Sequence, residues 1–393
     1  MHMKKIICFI ILILFTFSIS TVYAVEELLT TEKIIHDQID RLNIFELQEI
    51  IDEVNKDLEN YIPRIEIKKL ILQMIKGEEI VSLNDITKTV LKILFKEIIA
   101  NWSLLTQIIV LALLSSLLQN LQNAFEREVI SKLAYNTCYL IIISITIKSF
   151  IIAIDIGSET IDLMVNFMQA LLPILLTMLM AMGGLTSSAF LHPILLTSIG
   201  FIGTIIKNLV FPLILFSAVL SIVNSLSSKI QVKKLSSLLK QSAIIILGFV
   251  LTVFIGIISI QGITASTVDG LGLRTTKFVV DKLIPIVGGF LSDAMSTVIG
   301  CSLVLKNTIG AIGVFSLFML CFMPLIKILS LIIVYKIATV VIEPIGDNAL
   351  IDCLNNISNL LIVLFGVISS LAIMFFIIVT TVVSAGNITS MMK

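Results

Sequence analysis

The stretch LIPIVGGFLSDAMSTVIGCSLVL, Leu283–Leu305, is long enough to cross a membrane as a helix, yet it carries Asp293 near its midpoint. A carboxylate at the bilayer centre costs roughly 2.5–3.5 kcal/mol on insertion scales, so lipid exposure without compensation is disfavoured. On a helical projection Gly289, Ser292, Asp293, Ser296, Thr297 and Gly300 fall within an arc of roughly 140°, and Phe290, Leu291, Ala294, Met295, Val298 and Ile299 take the other side. Such a small-and-polar stripe either packs closely against another helix or lines water. Lys148, Lys306 and Lys327 are the candidate counter-charges for Asp293.

The rest of the chain sets this stretch in a membrane protein. Of 393 residues, 57% are hydrophobic and 14% charged, with mean hydropathy +1.09; soluble domains carry about 25% charged residues. Formal net charge is zero, so bulk charge gives no argument for a nucleic-acid partner. Hydrophobic segments lie near 103–119, 133–154, 167–183, 189–206, 208–224, 242–261, 283–305, 309–334 and 360–383. The expectation is an all-α polytopic membrane protein with about 8–9 such segments, some of them re-entrant rather than spanning. The region 189–224 reads as one hairpin or as two half-spans. The acids Asp155, Glu159 and Asp162 read as a loop between two spans, and Glu343, Asp347 and Asp352 as another.

Three regions follow. Residues 1–24 combine Lys4 and Lys5, an apolar core, and Val22 and Ala24 placed as in a cleavage site, which reads as a signal peptide, the alternative being an uncleaved first anchor. Residues 25–101 hold 10 Lys/Arg against 16 Asp/Glu and read as an acidic helical extracytoplasmic region. One helix there places Ile44, Leu47, Ile51, Val54 and Leu58 on a single face, with Asn43 and Glu46 spaced as a capping box. A second, NDITKTVLKILFKEIIANW, reads either as an interfacial helix ending on Trp102 or as an ordinary helix of a compact head. Residues 102–393 form the polytopic membrane domain. The lysines 229, 233, 234 and 240 occupy one loop without acids, which the positive-inside rule places in the cytoplasm.

Catalytic chemistry has no foothold. The chain lacks G-x-x-x-x-G-K-[ST], H-E-x-x-H and G-x-S-x-G, and GLGLRT is not spaced as a dinucleotide loop. Scattered cysteines and two histidines beyond the leader give neither a zinc site nor a disulfide framework, so no cofactor or metal is expected. The expectation is a protein that is not an enzyme. Breaks at Gly183–Gly184 and Gly288–Gly289 keep a second reading open, a stand-alone secondary transporter built on broken helices.

One run of residues carries a resemblance. Gln261, Gly262, Asp269, Gly270, Arg274, Lys277, Pro285, Asp293, Lys306 and Asn307, followed by Pro324, Lys327, Glu343 and Pro344, occur in an order that resembles the stage III sporulation protein AE family of endospore-forming Firmicutes. The segment LLPILLTMLMAMGGLTSSAFLHP resembles it too, and the likeness extends over essentially the full chain. The resemblance implies a mother-cell protein of the membrane around the engulfed forespore, with its N-terminal region in the intermembrane space. It implies partners as well: other membrane proteins of the stage III sporulation A operon and a forespore-made protein, assembled into a channel or secretion-like complex.

Overall fold

The computed structural model describes Gln38, Arg64 and residues 44–58, 66–75, 83–124, 128–226, 232–283, 287–344 and 348–391; within these, side chains are described except at 54, 57–58, 83–88, 119–124, 128–132, 226, 259–283, 287–295 and 388–391. The signal-peptide region and Asn43 lie outside the described residues. All elements among the described residues are helical: α1 (Phe45–Leu58), α2 (Ile67–Ile75), α3 (Leu83–Ala100), α4 (Trp102–Ala124), α5 (Glu128–Ala181), α6 (Leu185–Ile205), a π turn (Ile206–Val210), α7 (Phe211–Leu226), α8 (Lys233–Leu283), α9 (Val287–Ile342) and α10 (Asn348–Met391).

Among the described residues, five helical runs are long and apolar enough to cross a membrane, or six if α3 and α4, bent by 44°, form one span. The chain is thus an all-α polytopic membrane protein. Several of the hydrophobic segments read separately from the sequence are joined, however. Segments 133–154 and 167–183 lie in one helix, α5; 189–206 and 208–224 lie in the continuous run α6–π–α7; 283–305 and 309–334 lie on α9 except for its first residues. Asp155, Glu159 and Asp162 are therefore helical residues, not a loop; Lys233, Lys234 and Lys240, near the start of α8, and Asp352, near the start of α10, are likewise helical rather than loop residues. A hydropathy dip is ambiguous: polar residues at 3–4 spacing keep a helix going, whereas only turn chemistry ends it.

Such chemistry is present at Gly183. Its φ is +89°, and the N–H groups of Gly183 and Gly184 donate to the carbonyls of Met180 and Leu179, both at 2.9 Å, which closes α5 in a Schellman motif. Gly184 packs so closely that a Cβ would sit 2.8 Å from the Leu179 side chain. Gly183–Gly184 thus make a hairpin turn between two helices rather than a break within one. The π turn has a local reason as well: Pro212 supplies no N–H to the ladder, and widening the preceding turn accommodates its ring.

The hub of the bundle is α10, which packs on α5, α7, α8 and α9. Its buried residues Ile357, Leu361, Leu364, Ile368, Leu371, Phe375, Ile378, Val382 and Ala385 alternate steps of four and three, and none exceeds 2% exposure. That period of 3.5 is the seam of left-handed helix packing. Between α7 and α8 the seam is polar: Ser217 donates to the Ser236 carbonyl at 2.9 Å, and Ser236 donates back to the Ser217 carbonyl at 2.8 Å.

The N-terminal helices share this core. Leu47 and Ile51 of α1 and Ile67 and Ile71 of α2 are buried against the bundle, where α1 meets α5 and α9 and α2 meets α9. Gln38 donates to Ser302 Oγ at 3.1 Å and Asn101 to Ser330 Oγ at 3.1 Å, so the region is pinned to α9 at two points. Within it, Asp52 accepts from Gln48, Asn55 and Arg64 at 2.9–3.1 Å, and Gln48 Oε1 accepts the Ile67 N–H at the start of α2. Hydrogen bonds, first that from Gln48, hold the Asp52 carboxyl below its ordinary range.

Candidate functional site

The structure sets a polar surface on α5. Between Ala153 and Leu179 its exposed residues are Asp155, Glu159, Asp162, Asn166, Gln169 and Thr177, and every one is polar. Steps of four, three, four, three and eight keep them within about 80° of arc over a rise of about 33 Å. That rise matches the roughly 30 Å hydrocarbon thickness of a bilayer. Ile161, Met164, Phe167, Met168, Leu171, Leu172 and Leu175 fill the opposite face at 0–1% exposure, so the helix is inverted relative to a lipid-facing one.

Neighbouring helices hold the stripe in place. Gly157 lets α5 close on α7 and α10, since a Cβ there would be 3.1 Å from Phe211 and from Ile368. At Gly203 of α6 a Cβ would be 2.7 Å from Val165. From the π turn, Lys207 donates to Asp162 at 2.6 Å, with the two side chains 35% and 52% exposed. Asp155 and Glu159 have no ion-pair or hydrogen-bond partner among the described residues. Lys148, exposed seven residues before Asp155, lies on the same arc, but the exposed Ile151 and Ile152 separate it from the stripe.

Each carboxylate turned to lipid would cost up to about 2.5–3.5 kcal/mol, the figure for mid-bilayer depth, and the Lys207 pair relieves only Asp162. The surface is built for water or for another polar protein face. The sequence reading missed it because the acids, with Gly157 and Ser158 between them, looked like loop residues; the signal that finds them is their 155–159–162–166–169 spacing, which persists across that pair.

The residues singled out from the sequence lie elsewhere. Gln261, Gly262, Asp269, Gly270, Arg274 and Lys277 follow one another along the last part of α8, and Gly289, Ser292 and Asp293 lie in the first turns of α9; their side chains are outside the described residues, as is Pro285. Ser296 and Gly300 are half-buried and Thr297 is exposed, and a Cβ at Gly300 would meet open space. Lys306 and Lys327 cannot neutralise Asp293 within this chain. They lie thirteen and thirty-four residues further along the same helix, about 20 and 51 Å of rise.

Lys306 is instead fully buried, donates to the Val383 carbonyl at 2.7 Å, and fits because Gly386 has no Cβ to strike its ammonium. Asn307 beside it is half-buried, and Pro324 and Lys327 are half-buried within α9. Glu343 and Pro344 form the exposed turn after α9. Cys301, Cys321 and Cys353 are buried in the bundle.

Long apolar helices around a heptad hub, with one uniformly polar exposed face of membrane length, define a polytopic helical membrane protein with a polar membrane-length surface. The comparisons give the family. The stage III sporulation protein AE profile matches residues 65–386, and the chain is 40% identical over 326 residues to the stage III sporulation protein AE of Bacillus subtilis (strain 168), covering 83% of this chain and 82% of that one. The chain belongs to the stage III sporulation protein AE family. No solved structure matches it.

Proposed function

We propose that this protein is a non-catalytic integral membrane subunit of the channel or secretion-like complex between mother cell and forespore, and that the α5 stripe lines its water-accessible path. The carrying observation is the run of six exposed polar positions from Asp155 to Thr177. Family membership supports the sporulation role. In this reading the chain resides in the outer forespore membrane, its N-terminal region faces the intermembrane space, and it assembles with the other membrane proteins of its operon and a forespore-made partner. A subunit of this kind supplies a lined surface and no chemistry: Asp155 and Glu159 attract water and cations, and Asn166, Gln169 and Thr177 continue the wet face where no charge is present.

The test is paired substitution in sporulating cells. Asp155→Leu with Glu159→Leu is expected to abolish late forespore gene expression while the protein still accumulates in the membrane. Asp155→Asn with Glu159→Gln, which keeps the face polar, is expected to retain a substantial part of it. Full sporulation by the leucine pair would overturn the proposal.

A further inference from the structure

A second surface stands apart from the stripe, at the break between α3 and α4. In α3 the inner face is packed: Ile93 is 0% exposed, and the helix lies against α9. Its outer face is apolar, with Leu91 54%, Phe95 62% and Ile99 68% exposed, continued by Trp102 at 60%. Leu91, Phe95 and Ile99 step by four, so they share one stripe of about 80°, and Trp102 follows just beyond the end of the helix. Lys92 and Lys96 are exposed along one edge of that stripe.

Four large apolar side chains in a row on a solvent-facing helix need a cover. The next helix indicates what it is, for α4 carries its own exposed Val110, Leu113, Leu114 and Leu117 and is one of the apolar elements of the bundle. The chain bends by 44° between Ala100 and Trp102, so α3 does not continue along the α4 axis. An apolar face edged by lysines, ending on a tryptophan at a bend into an apolar helix, matches the chemistry of a bilayer interface: acyl chains accept the Leu, Phe and Ile side chains, the indole sits at headgroup level, and ammonium groups meet anionic phosphates.

We infer that α3 is an in-plane anchor that rests on the surface of an anionic bilayer through Leu91, Phe95, Ile99 and Trp102, with Lys92 and Lys96 in the headgroup layer. The anchor fixes the height of the bundle in the membrane, because Asn101 ties the end of α3 to Ser330 of α9. It does not depend on what the α5 stripe does.

Trp102 is the chain's sole tryptophan, so the full-length protein carries its own probe. The protein is reconstituted in phosphatidylcholine vesicles with and without phosphatidylglycerol, using lipids brominated near the headgroup or near the chain ends, and Trp102 fluorescence is read against aqueous iodide. The inference expects the shallow bromines to quench more than the deep ones and iodide to quench weakly. It also expects brominated phosphatidylglycerol to quench more than brominated phosphatidylcholine, by about twofold or more, and Lys92→Glu with Lys96→Glu to bring that ratio to about one. Stronger quenching by the deep bromines would make α3–α4 a bent span; quenching by iodide alone would place the face in water; and protection from every quencher would mean a protein covers it. Each of these three outcomes overturns the inference, as does a lipid preference unchanged by the charge reversal.

Discussion

Lys306 offers a quantitative test of how the bundle holds a charge. Its side chain is fully buried, and its one hydrogen bond among the described residues goes to the Val383 carbonyl. That carbonyl lies well inside α10, so it keeps a backbone partner four residues on when the lysine is replaced. Substitution Lys306→Met preserves the length of the stem, removes a buried cation, and leaves no orphaned acceptor. Replacing buried ions by hydrophobic residues of similar volume is neutral to stabilising by about 1–4 kcal/mol. The methionine variant is therefore expected to be at least as stable as the parent. Lys306→Ala removes the charge too, but it empties a space between α9 and α10 and should cost about 2–5 kcal/mol. Equilibrium unfolding of the purified proteins in mixed micelles, titrated with a denaturing detergent, reads the difference. A methionine variant less stable than the parent by more than about 1 kcal/mol would refute the reasoning, because the ammonium would then contribute more than its desolvation costs.

Three further outcomes follow from the geometry. Gly183→Ala forces a β-carbon into a left-handed conformation at φ +89° and should destabilise the α5–α6 hairpin by about 1–2 kcal/mol in the same titration. Ser217→Ala and Ser236→Ala each remove one of the two hydroxyl-to-carbonyl bonds between α7 and α8 and leave the other; each should cost about 0.6–1.7 kcal/mol, and the double variant, which loses both, should cost more than either alone. For Asp52 the folded state lowers the carboxyl pKa, so the contribution is present above the unfolded value of about 3.9 and is lost as pH falls through the lower folded value. Hydrogen-exchange protection of α1 and α2 should therefore weaken below about pH 4, and Asp52→Asn should flatten that dependence.

The fold class was readable from composition and apolar length, and the α1 face holding Leu47 and Ile51 was readable from its period. Helix number was not. A window average falls at Asp155–Asp162, at Lys207–Asn208 and at Lys306–Thr308 alike, and it cannot say whether a polar group there leaves the helix or stays on one of its faces. The answer depends on neighbours: Gly157 and Gly203 let α7 and α6 close on α5, which decides that its opposite face is the exposed one. Gly183–Gly184 differ because their own backbone chemistry ends a helix. For Lys306 the sequence offered Asp293 as a counter-charge, and only the antiparallel approach of α10 brings Val383 and Gly386 beside it. The stripe from Gly289 to Gly300 and the α5 stripe follow the same rule of small or polar residues at helical spacing. The second is the longer, and its acids looked like those of a loop.

The central claim, that the α5 stripe is wet, rests most directly on the accessibility of Glu159, Asn166 and Gln169. Each is changed singly to cysteine in a chain lacking its native cysteines, with Phe249 on the exposed apolar surface of α8 as the control. Labelling with a membrane-impermeant thiol reagent in sporulating cells should modify all three stripe positions and spare the control. Protection of all three, with the control equally protected, would contradict it and make the stripe a dry interface between subunits.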